Sequence, residues 1–206
     1  VIDILNAARA AEARVSGQEK EMAGNLRISA PTSFGRLYVA PFLSAFLDSH
    51  PRIAVQLDLS DGFIDLAAER VDVAIRIAGA IPPSLEAHRL GDSPRVLCAA
   101  PSYVEKHGLP STVAQVRGRD LLAAVGQLPW RLEGPSGGAV IDGTSRVQTN
   151  SSEVVRELTL AGAGIALRSL WDVDHDIASG RLIRLLPDYA GSNEAAIYAV
   201  YPRAPL

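Results

Sequence analysis

The sequence predicts an α/β fold. Three observations carry that reading. Short apolar runs of strand length recur between segments with helical spacing, several runs pass into hydroxyl-rich turns, and one run is apolar on both faces. A strand that is apolar on both faces is one covered on both sides, as in the middle of a parallel sheet. Strands separated by helices predict parallel sheets with right-handed crossovers.

The elements follow in order. Residues 1–23 read as a helix, alanine-rich and free of Pro, ended by Gly24 and Asn25. Its apolar stripe is too thin to bury against its own domain, so it is expected to be the tail of a linker or a dimerising helix. Residues 26–30 form a short strand and Pro31 to Gly35 a turn. A helix carrying Leu37, Phe42, Leu43, Phe46 and Leu47 comes next, closed by Ser49, His50 and Pro51. Residues 53–59 alternate as a strand, and residues 63–70 form a helix with Phe63, Leu66 and Ala67 on one side. Residues 71–77 are the strand apolar on both faces, except at Arg76.

A second region repeats the alternation. Residues 95–99 form a strand ending at Pro101, which leads into a short helix through Tyr103 and Val104. Residues 130–132 and 140–141 flank a turn from Gly134 to Gly138, expected as a hairpin. Residues 146–149 read as a strand, and a helix then starts at Asn150, whose spacing to Glu153 is that of a capping box with Asn150 as the cap. Gly162, Ala163 and Gly164 end that helix. Residues 165–167 form a buried strand, 170–178 a helix, and 182–186 and 195–201 strands.

Composition narrows the function classes. The 206 residues are 48% hydrophobic and 21% charged, ordinary globular usage, so disorder and fibrous folds are excluded. A formal charge of −3 argues against a broad nucleic-acid grip by this stretch. The one cysteine, Cys98, rules out an internal disulfide or a cysteine-built zinc site and fits a reducing compartment. No apolar run approaches the roughly 20 residues that cross a bilayer. The chain opens at Val1 and stops at Leu206 in a way that reads as part of a longer protein.

Few motifs carry chemistry. Gly134 to Gly138 matches Gly-x-Ser-x-Gly, but the strand before and the helix after that a nucleophile elbow needs are missing, and a hairpin turn explains it. His50, His88, His107 and His175 lack metal-ligand spacing. Gly162 to Gly164 lacks the third glycine of a dinucleotide site. No catalytic set, cofactor or metal is expected. What remains is a binding geometry: two hydroxyl-rich segments between a strand and a helix, Ser29 to Ser33 and Thr149 to Ser152. Helix starts at the carboxyl ends of strands offer unpaired N–H groups to an anion, although Ser, Thr and Asn there are helix caps first.

At these residues the chain resembles a known family. The matching pieces are Gly24 to Pro31 with Ser33, Phe34 and Gly35; Pro41 with the helix through Phe46 and then His50 and Pro51; and Asp72 to Arg76. Further on come Arg89 to Gly91, Ala100 to Val104, Asn150 to Glu153, Ala161 to Leu167 and Gly180 to Pro187. In that order and spacing, from about Gly24 to the end, they resemble the effector-binding half of LysR-type transcriptional regulators.

The resemblance implies two Rossmann-like lobes joined by two crossover strands, a type II periplasmic-binding-protein fold, preceded by a linker helix. It places lobe I at residues 24–99 plus 199–206 and lobe II at 100–198, with the chain crossing near 99–101 and 199–201. Residues 1–23 would be the end of the dimerising linker, and an N-terminal helix-turn-helix and a last helix would lie outside this stretch. The resemblance puts the effector in the inter-lobe cleft, lined by Pro31, Thr32, Ser33, Ile77, Cys98, Ala99, Asn150, Ser151, Gly164 and Ile165. The expected partners are a small anionic or aromatic effector, DNA through the absent N-terminal domain and not through this stretch, and further copies in a homodimer or homotetramer. No membrane is expected, and the setting would be the bacterial cytoplasm. One departure stands out: relatives often continue after residues 165–167 with an apolar residue and Pro, where this chain has Arg168 and Ser169. Arg168 is expected in solvent, with a pair to Asp172 or a charge near the lobe II site as alternatives. A family member that senses peroxide needs a cysteine pair, which this chain lacks. Two rival readings keep the same fold: a solute receptor of a transport system, and an enzyme needing acid–base groups that the hydroxyl-rich turns do not supply.

Overall fold

The structure is a computed structural model that describes residues 23–62, 66, 69–135, 137–191 and 195–203. The expected linker helix lies outside the described residues, as does most of the helix expected over 63–70. The chain divides into two compact units, 1–92 with 196–206 and 93–195. The passages between units therefore fall at Asp92–Ser93 and Ala195–Ala196, whereas the sequence places them near 99–101 and 199–201. Pairing sets them: residues 95–99 bond only to strands of the second unit and residues 196–202 only to strands of the first.

The first unit holds β1 (Gly24–Ala30), β2 (Ile53–Leu59), β3 (Val73–Ala78), β4 (Leu85–Asp92) and, from the far end of the chain, β12 (Ala196–Pro202). Their order in the sheet is β2-β1-β3-β12-β4. β1 runs parallel to β2 and β3, and β12 runs antiparallel to β3 and β4. The sheet is thus mixed, and β3, expected as a central parallel strand, has one neighbour of each kind. Burial on both faces demands apolar residues whichever way the neighbours run.

Between β1 and β2 the helix starts directly after Pro31, in the segment expected as a turn. α1 (Thr32–Phe34), a π-helical stretch (Gly35–Val39) and α2 (Ala40–Ser49) follow without a break. The fixed φ of Pro31, −57°, and its extended ψ, 143°, suit a residue just outside a helix, and the Gly35 N–H donates to its carbonyl at 2.8 Å. Gly35 packs against β2: a Cβ there would meet Leu59 Cδ2, and that side chain would have to move. His50 before Pro51 cannot continue the helix and leaves it at ψ 65°.

The second unit contains β5 (Arg95–Ala99), α3 (Pro101–His107), α4 (Val113–Arg117), β6 (Leu121–Leu122), β7 (Trp130–Gly134) and β8 (Gly137–Ile141). It continues with α5 (Ser152–Leu160), β9 (Ile165–Ser169), α6 (Leu170–Ala178), β10 (Ile183–Leu185) and β11 (Ala190–Gly191). The sheet order is β6-β9-β5-β11-β7-β8, with β10 also on β5. Only β6 and β9 pair in parallel; the remaining pairs are antiparallel, contrary to the parallel sheet expected. β7 and β8 form the expected hairpin, closing at Gly134 opposite Gly137, where φ is +94°.

β5 is the spine of this unit. Val96 and Cys98 enter one apolar cluster with Ala100, Val173 and Leu182, while Leu97 and Ala99 enter another with Tyr103, Trp130, Leu132, Ile165 and Leu167. Residues 146–149 are not a strand: Ser145 makes a single bridge to Leu121, and its hydroxyl accepts from Ala123 N and donates to Val147 O. Among the described residues no helix is long and apolar enough to cross a membrane.

Candidate functional site

In the first unit, the carboxyl ends of three parallel strands gather polar groups. β1 ends at Ala30, whose carbonyl accepts from Ser60 N at 2.9 Å. Asp61, just after β2, accepts the Thr32 N–H on Oδ1 at 2.9 Å and so caps the start of α1 from outside the helix. Ser60 Oγ in turn accepts from Gly62 N. Ser33 is 2% exposed, and its hydroxyl has no hydrogen-bond partner among the described residues. That is an unusual state for a polar atom in a packed interior. Ile77, opposite Ile197 on β12, is half-buried one residue before the end of β3. Pro31, Thr32 and Ser33 are thus together at the end of β1, and Ile77 is at the same end of the sheet.

Arg76, which the sequence marks only as an interruption, sits there too. Its side chain is 8% exposed; Nη2 donates to Ser29 Oγ at 3.1 Å and Nη1 to Ile75 O at 2.8 Å. Burial pushes this guanidinium below its ordinary range, and the charge of Glu69 opposes the push.

The second unit separates its expected site residues into two groups. Asn150 is exposed and Ser151 half-buried, at the start of α5. The cap is Ser151, accepting from Val154 N at 3.4 Å, one residue later than the capping box centred on Asn150. Thr149 decides this: its Oγ1 accepts the Ser151 N–H at 3.1 Å, and its carbonyl accepts from Val125 N at 2.8 Å, tying the turn to the chain leaving β6.

Gly164 and Ile165 lie beyond the other end of α5. Nine residues at 1.5 Å per residue put about 13 Å of helix between them and Ser151. There Ile165 N donates to Asp120 O at 2.8 Å, and a Cβ on Gly164 would collide with that same oxygen. Cys98 pairs with Ala166, next along β9, so Cys98 and Ala99 belong with this second group. Cys98, Ala99 and Ile165 have no exposed area. The Cys98 thiol is pushed up to about 12, by burial first. It is a core residue with no thiolate chemistry near neutral pH.

The carboxyl end of β9 presents residues absent from the expected set. Ser169 is the N-cap of α6 and accepts at Oγ from Ser93 Oγ, which itself accepts from Trp171 Nε1 at 3.0 Å. Arg95, opposite Ser169, donates through Nη2 to Leu167 O and is held down at about 10 by burial and then by the charge of Arg168. A serine closing a strand and opening a helix was the available signal. Arg168 is not in solvent as expected: it is 6% exposed and pairs with Asp172, 3.0 Å from Nε to Oδ2. A carboxylate one turn into α6 lies within reach of the last residues of β9.

Comparison with known proteins gives this arrangement a family. The LysR substrate binding domain model matches residues 19–205. The HTH-type transcriptional regulator DmlR of Escherichia coli K12 is 38% identical over 186 residues, covering 86% of this chain and 59% of its own length. The HTH-type transcriptional activator TtdR of Escherichia coli UTI89 is 37% identical, covering 89% of this chain and 59% of its own length. The chain therefore spans about three-fifths of the curated relatives it matches. Among solved structures, the CrgA regulatory domain of Neisseria meningitidis has a TM-score of 0.77 at 31% identity, covering 88% of this chain and 90% of that one. The AphB regulatory domain of Vibrio vulnificus scores 0.76 at 30% identity, covering 87% and 92%. These relatives are transcriptional regulators, not solute receptors of transport systems. With two α/β units of the type II periplasmic-binding-protein kind and this match across nearly its whole length, the chain belongs to the LysR substrate-binding domain family.

Proposed function

We propose that this chain is the effector-sensing and oligomerising part of a bacterial, cytoplasmic transcription regulator. A small molecule engages it at the strand-end helix starts, and DNA is read by a separate helix-turn-helix. The observation that carries the reading is Ser33, 2% exposed, whose hydroxyl has no hydrogen-bond partner among the described residues, at the point where β1 opens into a helix. A buried hydroxyl left unpaired costs free energy that a ligand hydrogen bond returns. Pro31, Thr32, Ser33 and Ile77 in the first unit and Asn150 and Ser151 in the second are the contacts we assign first. Cys98, Ala99, Gly164 and Ile165 complete the expected set; Cys98, Ala99 and Ile165 have no exposed area and the Ile165 N–H already donates to Asp120 O, so their part is to shape the site by packing. The domain works by binding rather than turnover, shifting an equilibrium between arrangements of a dimer or tetramer through its differential affinity for them.

The test uses the full-length regulator. Small carboxylates and aromatics are titrated while DNA binding is followed, with Thr32→Ala, Ser33→Ala and Asn150→Ala alongside. The reading expects a compound that changes DNA binding in the wild type, with weaker response in the variants at near-unchanged melting temperature. Absence of any effector response, or a response equal to wild type in all three variants, refutes it.

A further inference from the structure

Among the described residues four charged side chains are buried: Arg76, Arg168, Asp172 and Asp176. Three of them are ion-paired, Arg168 with Asp172, and Asp176 with both Arg156 and Arg181. Arg76 is the exception. Its hydrogen bonds go to a hydroxyl and a carbonyl, both neutral, and it makes no ion pair with a described carboxylate. The Glu69 carboxylate acts on it through its charge but does not pair with it, and a buried charge without a bonded partner of opposite sign is costly.

Its position is equally specific. β1 and β3 are parallel with Ser29 level with Ala74, so the register carried forward puts Ala30 beside Ile75 and leaves Arg76 one step past the end of β1. That is the carboxyl end of parallel strands, where α/β sheets take their ligands. Ser29, which Arg76 holds, is four residues before Ser33 with its unpartnered hydroxyl. The helix start itself does not supply the positive end for an anion, because the Asp61 carboxylate already occupies the Thr32 N–H.

We infer that Arg76 is the anion-recognising residue of the first unit, and that the effector taken there carries a carboxylate. A guanidinium offers two parallel N–H groups to a carboxylate, whereas the Asp61-capped helix start offers a hydroxyl and an acceptor. The ligand class that fits is a small organic acid bearing a hydrogen-bonding group beside its carboxylate. This inference rests on the sensing role proposed above.

The experiment uses the full chain with named probes: succinate, malate and benzoate, each against its amide, at matched ionic strength. Binding is read by thermal shift and calorimetry for wild type, Arg76→Gln and Arg76→Lys, with circular dichroism of each unliganded protein as the folding control. The expected result is stabilisation by at least one acid and not by its amide, at least tenfold weaker binding to Arg76→Gln, and partial retention in Arg76→Lys. Arg76→Lys keeps the charge if Arg76→Gln fails to fold, and a fall in its acid-over-amide preference then supports the assignment. Equal affinity in a folded Arg76→Gln overturns it, as does an Arg76→Lys as selective as wild type. Binding of amides in place of acids overturns this inference while leaving the sensing role standing; no binding by either series overturns both.

Discussion

Replacing Asp172 by Asn tests how the second unit is held together. Arg168 and Asp172 keep 6% and 1% of their side-chain exposure, and both Nε and Nη2 of the arginine donate to Oδ2. Asn preserves the volume but removes the charge, leaving Arg168 buried without its partner and still facing Arg95, whose own guanidinium is already held down by burial and then by that charge. Breaking a buried pair from one side costs about 3–5 kcal/mol, a large share of the roughly 5–15 kcal/mol that stabilises a typical domain. For a chain of this length that corresponds to a melting temperature lowered by about 6–20 °C. The double variant Arg168→Met with Asp172→Leu removes both charges and exchanges them for apolar volume, so it should recover most of the loss. Urea and thermal unfolding followed by circular dichroism for wild type, Arg168→Met, Asp172→Leu and the double variant form a complete cycle, with Asp172→Asn measured beside it. Single variants that melt with wild type, or a double variant that loses the sum of the two, would refute the reasoning.

Three further outcomes follow. Ser151→Ala should cost about 0.5–2 kcal/mol in urea unfolding through loss of the α5 cap, whereas Asn150→Ala should change stability by less than about 0.5 kcal/mol; the reverse order would restore Asn150 as the cap. Gly164→Ala forces a methyl onto the Asp120 carbonyl and should destabilise by about 1–3 kcal/mol, read the same way. Cys98 is neutral in the folded chain up to about pH 12 but ionises from about pH 9 when unfolded, so the folded state binds the extra proton and stability should fall as pH rises across that window. Cys98→Ala should flatten the alkaline slope, and an unchanged slope would remove the thiol from the account.

Element type was largely legible because it is written in local spacing. The split of β5 into Val96 and Cys98 on one side and Leu97 and Ala99 on the other is the period-two pattern that made it a strand. Strand direction was not legible, since that period is the same in parallel and antiparallel pairs. β4 escaped notice because Ala87, His88 and Arg89 are exposed and its partner, β12, is a hundred residues further along the chain. Asn150 and Ser151 are both good caps, and only the Thr149 hydroxyl, bonded to the Ser151 N–H, chose between them. Arg168 was expected in solvent, with the Asp172 pair as an alternative, and the pair forms across a strand–helix junction, where spacing alone does not bring residues four apart together. Asn150 and Gly164 stand at opposite ends of α5, and the nine-residue helix between them is a separation that listing them together does not show.

The place of β12 bears on how the protein is made. It lies between β3 and β4, yet it is the last of these five strands to be synthesised, after the whole of residues 93–195. A nascent chain can complete the second unit from one continuous stretch while β3 and β4 still wait for the strand that joins them. The ribosome thus finishes the inserted half before the half that began first, and a stop codon ahead of Ala196 would leave two strand edges open to neighbouring chains.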